Sequence, residues 1–157
     1  MRKPPKARRR GPTLKWTQRT EPGSPGRRYA PSMVWDSQKQ RVLVGQGYDQ
    51  SGSASGGFQA FDPAADGGGW SPLAATGVPL KRAAAPFLGD AQPLHLWGGL
   101  DDYGDPLGDL YRLDELDGGA AWTPLVPANP PTDRAYPLCV SVGPRRLAFG
   151  GFLIVGF

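Results

Sequence analysis

Short apolar runs cut by clusters of Gly, Pro, Asp and Ser recur along the chain once its first dozen residues are passed. Val42-Leu43-Val44, Leu94-His95-Leu96-Trp97 and Leu147-Ala148-Phe149 each lead into glycines. Phe58-Gln59-Ala60-Phe61-Asp62 and Leu110-Tyr111-Arg112-Leu113-Asp114 carry aromatic and aliphatic residues up to an Asp. Segments this short, rich in β-branched and aromatic residues and bounded by turn formers, predict strands and almost no helix. Four strands per unit are expected. Strand a lies near residues 30–35, 83–88 and 135–140, and strand b is the run before the glycines. Strand c covers 58–61 and 110–113, and strand d is the string Trp70-Ser71-Pro72-Leu73 or Trp122-Thr123-Pro124-Leu125.

The spacing of these segments is itself a signal. Trp16, Trp70 and Trp122 are 54 and 52 residues apart, and so are Arg28, Arg82 and Arg134. Gly45-Gln46-Gly47, Gly98-Gly99 and Gly150-Gly151 keep the same clock, and residues 14–17 read as a leading copy of strand d. The ordered set is an Arg, an apolar run ending in Gly-Gly, an aromatic strand ending in Asp, and a Trp with Leu three residues on. Over residues 14–151 this set resembles the kelch repeat, whose period is about 50 residues. Two departures concern the first copy: Gln46 interrupts its glycines, and Phe58 and Phe61 stand where the family usually has tyrosines.

The resemblance implies an all-β, kelch-type β-propeller of four-stranded antiparallel blades, here incomplete. Its repeats fall at about 28–73, 82–125 and an unfinished 134–157. In such a blade Trp70 and Trp122 would fill the space between sheets, and glycines would admit close backbone approach. By the same resemblance Arg28, Arg82 and Arg134 would bond loop carbonyls or stack on an aromatic ring, a structural role. Propellers close with roughly four to eight blades, so two and a half repeats imply either a fragment or an assembly of copies.

Composition changes this picture at one end of the chain. Hydrophobic residues make up 39% of the 157, with five Trp, enough for a β core; the 23 Gly and 18 Pro mark turns. The net charge of +4 misleads, because residues 1–28 hold ten Lys or Arg against Glu21 alone, while the remainder holds eight against thirteen acidic residues. Residues 1–13, basic and proline-rich, are expected to form a disordered tail. That tail reads as a solubilising terminus or as a phosphate-contacting arm, and nucleic-acid binding is expected nowhere else. No run of about 18 apolar residues exists, and the basic start is not followed by a secretory apolar segment, so a cytoplasmic protein without membrane contact is expected.

Antiparallel order places the b-to-c and d-to-a loops at one end of the sheets. That end would carry residues 48–57, 100–108, 74–80 and 126–132. Tyr48, Asp49, Asp101, Asp102, Tyr103 and Asp105 are the candidate binding residues, with the acidic loop around Tyr103 suited to a basic protein partner or read as an ordinary solvated turn. The acidic spacing matches no calcium loop and lacks a closing Glu. Adjacent Asp101 and Asp102 tend to diverge in an extended loop, against a glycosidase pair. Cys139 and His95, one of each, exclude a disulfide framework and a Cys-rich or His-rich metal site. They also cannot present the Cys–Tyr pair with His ligands of the copper-radical propeller oxidases. Both lie in apolar strands, His95 reading as a buried or interblade histidine and Cys139 as a small core residue. The expectation is a binding scaffold with no catalytic residue, metal or cofactor, joined to a protein partner, to its own copies or to missing blades. The alternative is a fragment of a larger kelch-type propeller enzyme, an oxidase or a sugar epimerase or lyase, with its catalytic residues outside this chain.

Overall fold

The computed structural model describes residues 14–16, 18, 21–65, 68–116 and 119–152. The expected disordered tail, Thr17 and residues 153–157 lie outside the described residues. The described residues form an all-β structure without helix. Strands β1 (Ser32–Asp36), β2 (Arg41–Gly45), β3 (Phe58–Asp62) and β4 (Gly69–Pro72) make one antiparallel sheet in sequence order. A second sheet continues with β5 (Ala75–Thr76), β6 (Phe87–Leu88), β7 (Leu94–Leu100), β8 (Pro106–Leu116) and β9 (Gly119–Leu125) in the order β5-β9-β8-β7-β6. Strands β10 (Leu138–Val142) and β11 (Arg145–Phe149) form a separate antiparallel pair.

The register repeats with the sequence. Val42, Phe61 and Trp70 lie in one cross-strand row of the first sheet, and Leu94, Leu113 and Trp122 in one row of the second, each 52 residues later. The two rows have different surroundings. Leu94, Leu113 and Trp122 are buried with Phe58 and Leu43 of the first sheet, Trp122 centred 4.9 Å from Phe58. Phe87 closes this aromatic cluster edge-on to Phe58 at 5.6 Å. Burying one such ring removes roughly 150–250 Å² from water, worth about 4–6 kcal/mol before its ordering entropy is subtracted. Trp70, in the equivalent place, lies tilted against Phe61 of its own sheet at 5.0 Å and stays half-buried. Of these two tryptophans, Trp122 therefore fills the space between the first and second sheets.

A second buried cluster, small-residue and nearer the loops, gathers Ala83, Ala84, Ala135, Ala54, Tyr48 and Leu100. Here the backbone forms a ladder from repeat to repeat. Ala30, Ala84 and Tyr136 all adopt left-handed φ values of 51°, 56° and 55°. The Ala84 amide donates to the Ala30 carbonyl at 2.9 Å, and the Tyr136 amide to the Ala84 carbonyl at 3.1 Å. Alongside, the Gly47 amide donates to the Arg82 carbonyl at 2.8 Å and the Gly99 amide to the Arg134 carbonyl at 3.0 Å. Glycine is required at this position. A Cβ on Gly47, Gly99 or Gly151 would stand 2.9, 2.6 or 2.7 Å from the carbonyl oxygen of Tyr29, Ala83 or Ala135.

Several sequence expectations need correction. The glycine pair of the first repeat is matched by Gln46-Gly47, with Gln46 at φ 58° where Gly98 has 62° and Gly150 has 71°. Gly45 lies inside β2, opposite Ser32 and Phe58, where a Cβ would overlap the Phe58 ring. Strand a of the second repeat shrinks to Phe87–Leu88, because Ala83 forms an isolated bridge to Leu100 and Ala84 turns left-handed to join the backbone ladder. The loop expected over 100–108 is only 101–105, since β7 and β8 extend toward each other. Within the span 74–80, Ala75–Thr76 pair in parallel with β9, so this connection stitches the first sheet to the outer edge of the second. Leu14, Lys15 and Trp16 are in no strand and are exposed.

Gln46 is fully buried, and its side-chain amide has no hydrogen-bond partner on either atom. Left-handed backbone in a non-glycine residue and an unpaired buried amide each cost about 1–3 kcal/mol. Gln46→Gly, which restores the residue of the other two repeats, is therefore expected to stabilise the fold by about 1–3 kcal/mol. A lower midpoint in urea for this variant would show that Gln46 packing outweighs both costs.

Candidate binding face

The loops after β2 and β7 share one design. In the first, the Asp49 carboxylate accepts from the Ser51 amide at 2.8 Å, the Ser51 hydroxyl at 2.6 Å and the Ser53 amide at 3.2 Å. In the second, Asp101 Oδ1 accepts from the Tyr103 amide at 2.8 Å and the Asp105 amide at 2.9 Å. Asp at the head of a turn bonding amides two and four residues on is a local way to satisfy backbone donors. The Ser51 hydroxyl, then its amide, holds the Asp49 carboxyl below the usual carboxylate range. Asp49 and Asp101 are thus engaged in shaping their own loops.

Other contacts bind the two loops to each other. Tyr48 exchanges backbone bonds with Tyr29 at 3.0 Å, its ring lies 5.1 Å from Tyr29, and its hydroxyl donates to the Asp101 carbonyl at 2.8 Å. Burial, then neighbouring Tyr29 and Tyr136, raises the Tyr48 phenol above its usual value. Asp102 Oδ1 accepts from the Ala54 amide at 2.6 Å, spanning the two loops. Of the six candidate residues, Tyr48, Asp49, Asp101 and Asp102 are therefore structural pins. Tyr103, 91% exposed, and exposed Asp105 project free surface.

Two concavities open at this end, and they are the same place in successive repeats. The first, about 380 Å³, is lined by Arg27, Arg28, Tyr29, Asp49 and Gln50. The second, about 370 Å³, is lined by Leu80, Lys81, Asp101, Asp102 and Tyr103. Arg27 and Lys81 are 54 residues apart, and each faces an Asp from the repeated turn. Partial burial lowers the Arg28 guanidinium from its usual value, with Asp49 opposing the shift. The sequence reading missed Arg27 and Lys81; their 54-residue spacing was the available signal.

The three repeat arginines fasten loop backbone, Arg28 from within the lining of the first concavity. Arg28, Arg82 and Arg134 each donate through Nη1 to the carbonyl of Gln46, Gly98 or Gly150, at 2.9, 3.0 and 3.0 Å. Arg82 and Arg134 also donate through Nε to Leu80 and Thr132 carbonyls, and lie over the rings of Tyr111 and Trp97 at 5.5 and 5.9 Å. Arg82 alone is 0% exposed and is paired with both oxygens of Asp109.

At the opposite end, fully buried Asp36 accepts from the Gln38 and Lys39 amides and from Gln92. Arg41 pairs with Asp36 and with Glu115, which Lys39 also reaches at 3.3 Å. This cluster ties the two sheets together through charge.

His95 and Cys139 lie away from both concavities' linings. Burial, then Arg146 and Arg112, lowers the His95 imidazole from its usual value, and burial pushes the Cys139 thiol up. Among the described residues, no group of three or more His, Cys, Asp or Glu could hold a metal ion, and no helix is long and apolar enough to cross a membrane. Compared with known proteins, the sequence matches no family model and no curated protein.

Proposed function

We propose that the chain is a kelch-type, propeller-like binding scaffold that engages a basic protein segment at the end carrying the loops after β2 and β7. The observation that carries this reading is the acidic loop 101–105 at the second concavity, whose backbone amides are held by Asp101 while Tyr103 and Asp105 stay exposed. Recognition commonly resides on loops held by a rigid scaffold, and here the backbone is pinned while Tyr103 and Asp105 stay free. Tyr supplies large contact area with few rotors to order, and the acidic groups around it match Lys or Arg. The stacked sheets behind the loops serve as the support, with their remaining apolar faces covered by association.

A lysine- and arginine-rich peptide is the probe. NMR titration is expected to shift amides of residues 101–105, and the interaction is expected to weaken as salt rises. Tyr103→Ser should weaken binding on the order of tenfold, as for an exposed aromatic anchor. Lys39→Ala, at the opposite end, should leave it unchanged. Shifts confined to the end carrying Asp36 and Glu115 would refute the assignment.

A further inference from the structure

The second sheet meets the first on one face and, through β6, the β10–β11 pair on the other, and the two halves of the first junction recur, unmated, at the ends of the stack. The face of the second sheet that meets the first presents Phe87, Leu94, Leu96 and Trp122. Stepping back by the repeat spacing gives Met33, Val42, Val44 and Trp70, the outer face of the first sheet, which is partly exposed, Met33 at 68%. The other half of the junction, Val34 and Leu43 in the first sheet, corresponds by the same spacing to Val140 and Leu147 in the β10–β11 pair. That face is open to water, with flanking Leu138 at 75% and Phe149 at 80%.

The backbone ladder stops at the same two places. Among the described residues, the Tyr136 carbonyl receives no backbone amide, although the equivalent Ala30 and Ala84 carbonyls each do. Among the described residues the Gly151 amide also donates to no backbone carbonyl, although Gly47 and Gly99 donate to Arg82 and Arg134. At the other end the Ala30 amide and the Arg28 carbonyl are without backbone partners among the described residues. A donor and an acceptor are thus open at each end, with opposite polarity.

We propose that a second copy of this chain docks head-to-tail, its Met33/Val44/Trp70 face on the Leu138/Val140/Leu147/Phe149 face of the first. The second copy's Ala30 amide then donates to the Tyr136 carbonyl, and the Gly151 amide to the second copy's Arg28 carbonyl. The proposal rests on the scaffold reading above and fixes how its end faces are covered. A second copy is the occupant because each end carries the half-junction that the other end completes, in apolar surface and in hydrogen-bond polarity. Such an interface is heterologous: unlike patches meet, and one good end remains on each outer copy.

Light scattering on the full chain at micromolar concentration tests this with Met33→Asp and Phe149→Asp, both at positions exposed within one copy. Wild type is expected to contain two or more chains, and each variant alone to be a monomer. An equimolar mixture of the two variants should form a dimer holding one of each, because each retains one intact end. Circular dichroism checks that both variants keep the wild-type β signal, and Leu138→Asp or Val44→Asp replaces either that does not. As a geometric check on a Cys139→Ala background, Leu138→Cys on one chain should cross-link to Pro31→Cys on another. That pair is the repeat equivalent of Ser32 and Ala85, whose Oγ and carbonyl oxygen lie 2.7 Å apart. A mixture that stays monomeric, a single variant that stays assembled, or cross-links of Leu138→Cys to itself would overturn the head-to-tail arrangement. A wild-type monomer that binds an apolar dye would remove the assembly and leave the stacked scaffold standing; one that binds none would remove both.

Discussion

Arg82→Met is expected to destabilise the fold by about 3 kcal/mol, the low end of the cost of breaking a buried ion pair. The guanidinium is fully buried, donates to the Leu80 and Gly98 carbonyls at 3.0 Å each, and holds both oxygens of Asp109. Methionine replaces the volume but none of the donors, so two carbonyls and a carboxylate lose their partner. Asp109 is 36% exposed and recovers part of its hydration, which keeps the cost from the upper end of the range. A loss of this size is a large fraction of the roughly 5–15 kcal/mol that holds a domain folded. Urea unfolding of the two proteins gives the number. Arg134→Met, whose bonds to Thr132 and Gly150 carbonyls are in exposed surroundings, should cost about 1 kcal/mol. Equal losses at the two positions would mean that burial of the Arg82–Asp109 pair adds nothing. Arg82→Met combined with Asp109→Leu should recover part of the single-variant loss, because the orphaned carboxylate is removed with its partner.

Gly99→Ala is expected to destabilise the fold strongly, through backbone strain and overpacking together. Its φ of 105° lies where an L side chain is strained, at about 1–3 kcal/mol, and overpacking adds about 1–3 kcal/mol more. The new Cβ would meet the Ala83 carbonyl oxygen at 2.6 Å and the Ala85 Cβ at 2.9 Å, on either side of the ladder residue Ala84. Neither can move without breaking the bonds that Ala83 exchanges with Leu100 and the one from Ala84 to Ala30. Gly104→Ala is the control. Its φ is also positive, at 85°, but nothing lies within 4 Å of its added Cβ, so only the conformational cost of about 1 kcal/mol applies. The difference in urea midpoint between the two variants isolates the steric part. Similar midpoints would show that the ladder at Ala83 is soft.

Candidate site residues were less legible than the strands. Sequence picked out Asp101, Asp102 and Tyr103 as one acidic loop, yet the first two are committed to backbone amides and only Tyr103 and Asp105 are left free. An Asp in a turn looks the same in sequence whether it faces a partner or its own amides. Arg41 and Glu115, 74 residues apart, carried no pattern at all, because the side chains of an ion pair across two sheets meet only after the sheets stack.

From sequence alone came the repeat spacing, the all-β character and the four segments that pair as antiparallel strands in each of the first two repeats. These depend on local chemistry: turn residues end apolar runs, and alternation within a run sets which side chains share a face. The 52-residue step survives in the register because equivalent residues occupy equivalent rows. The tertiary structure decided what each row touches. Trp70 and Trp122 stand in equivalent strings, yet one is half-exposed and the other lies between two sheets, because burial is a property of the neighbour and not of the strand. It also decided that Gln46 takes the glycine's place in the first repeat, that Ala75–Thr76 form a parallel stitch, and that Ala30, Ala84 and Tyr136 turn left-handed to form the ladder. Each of these follows from a long-range hydrogen bond or close approach, and such contacts leave no trace in the order of hydrophobic and polar residues.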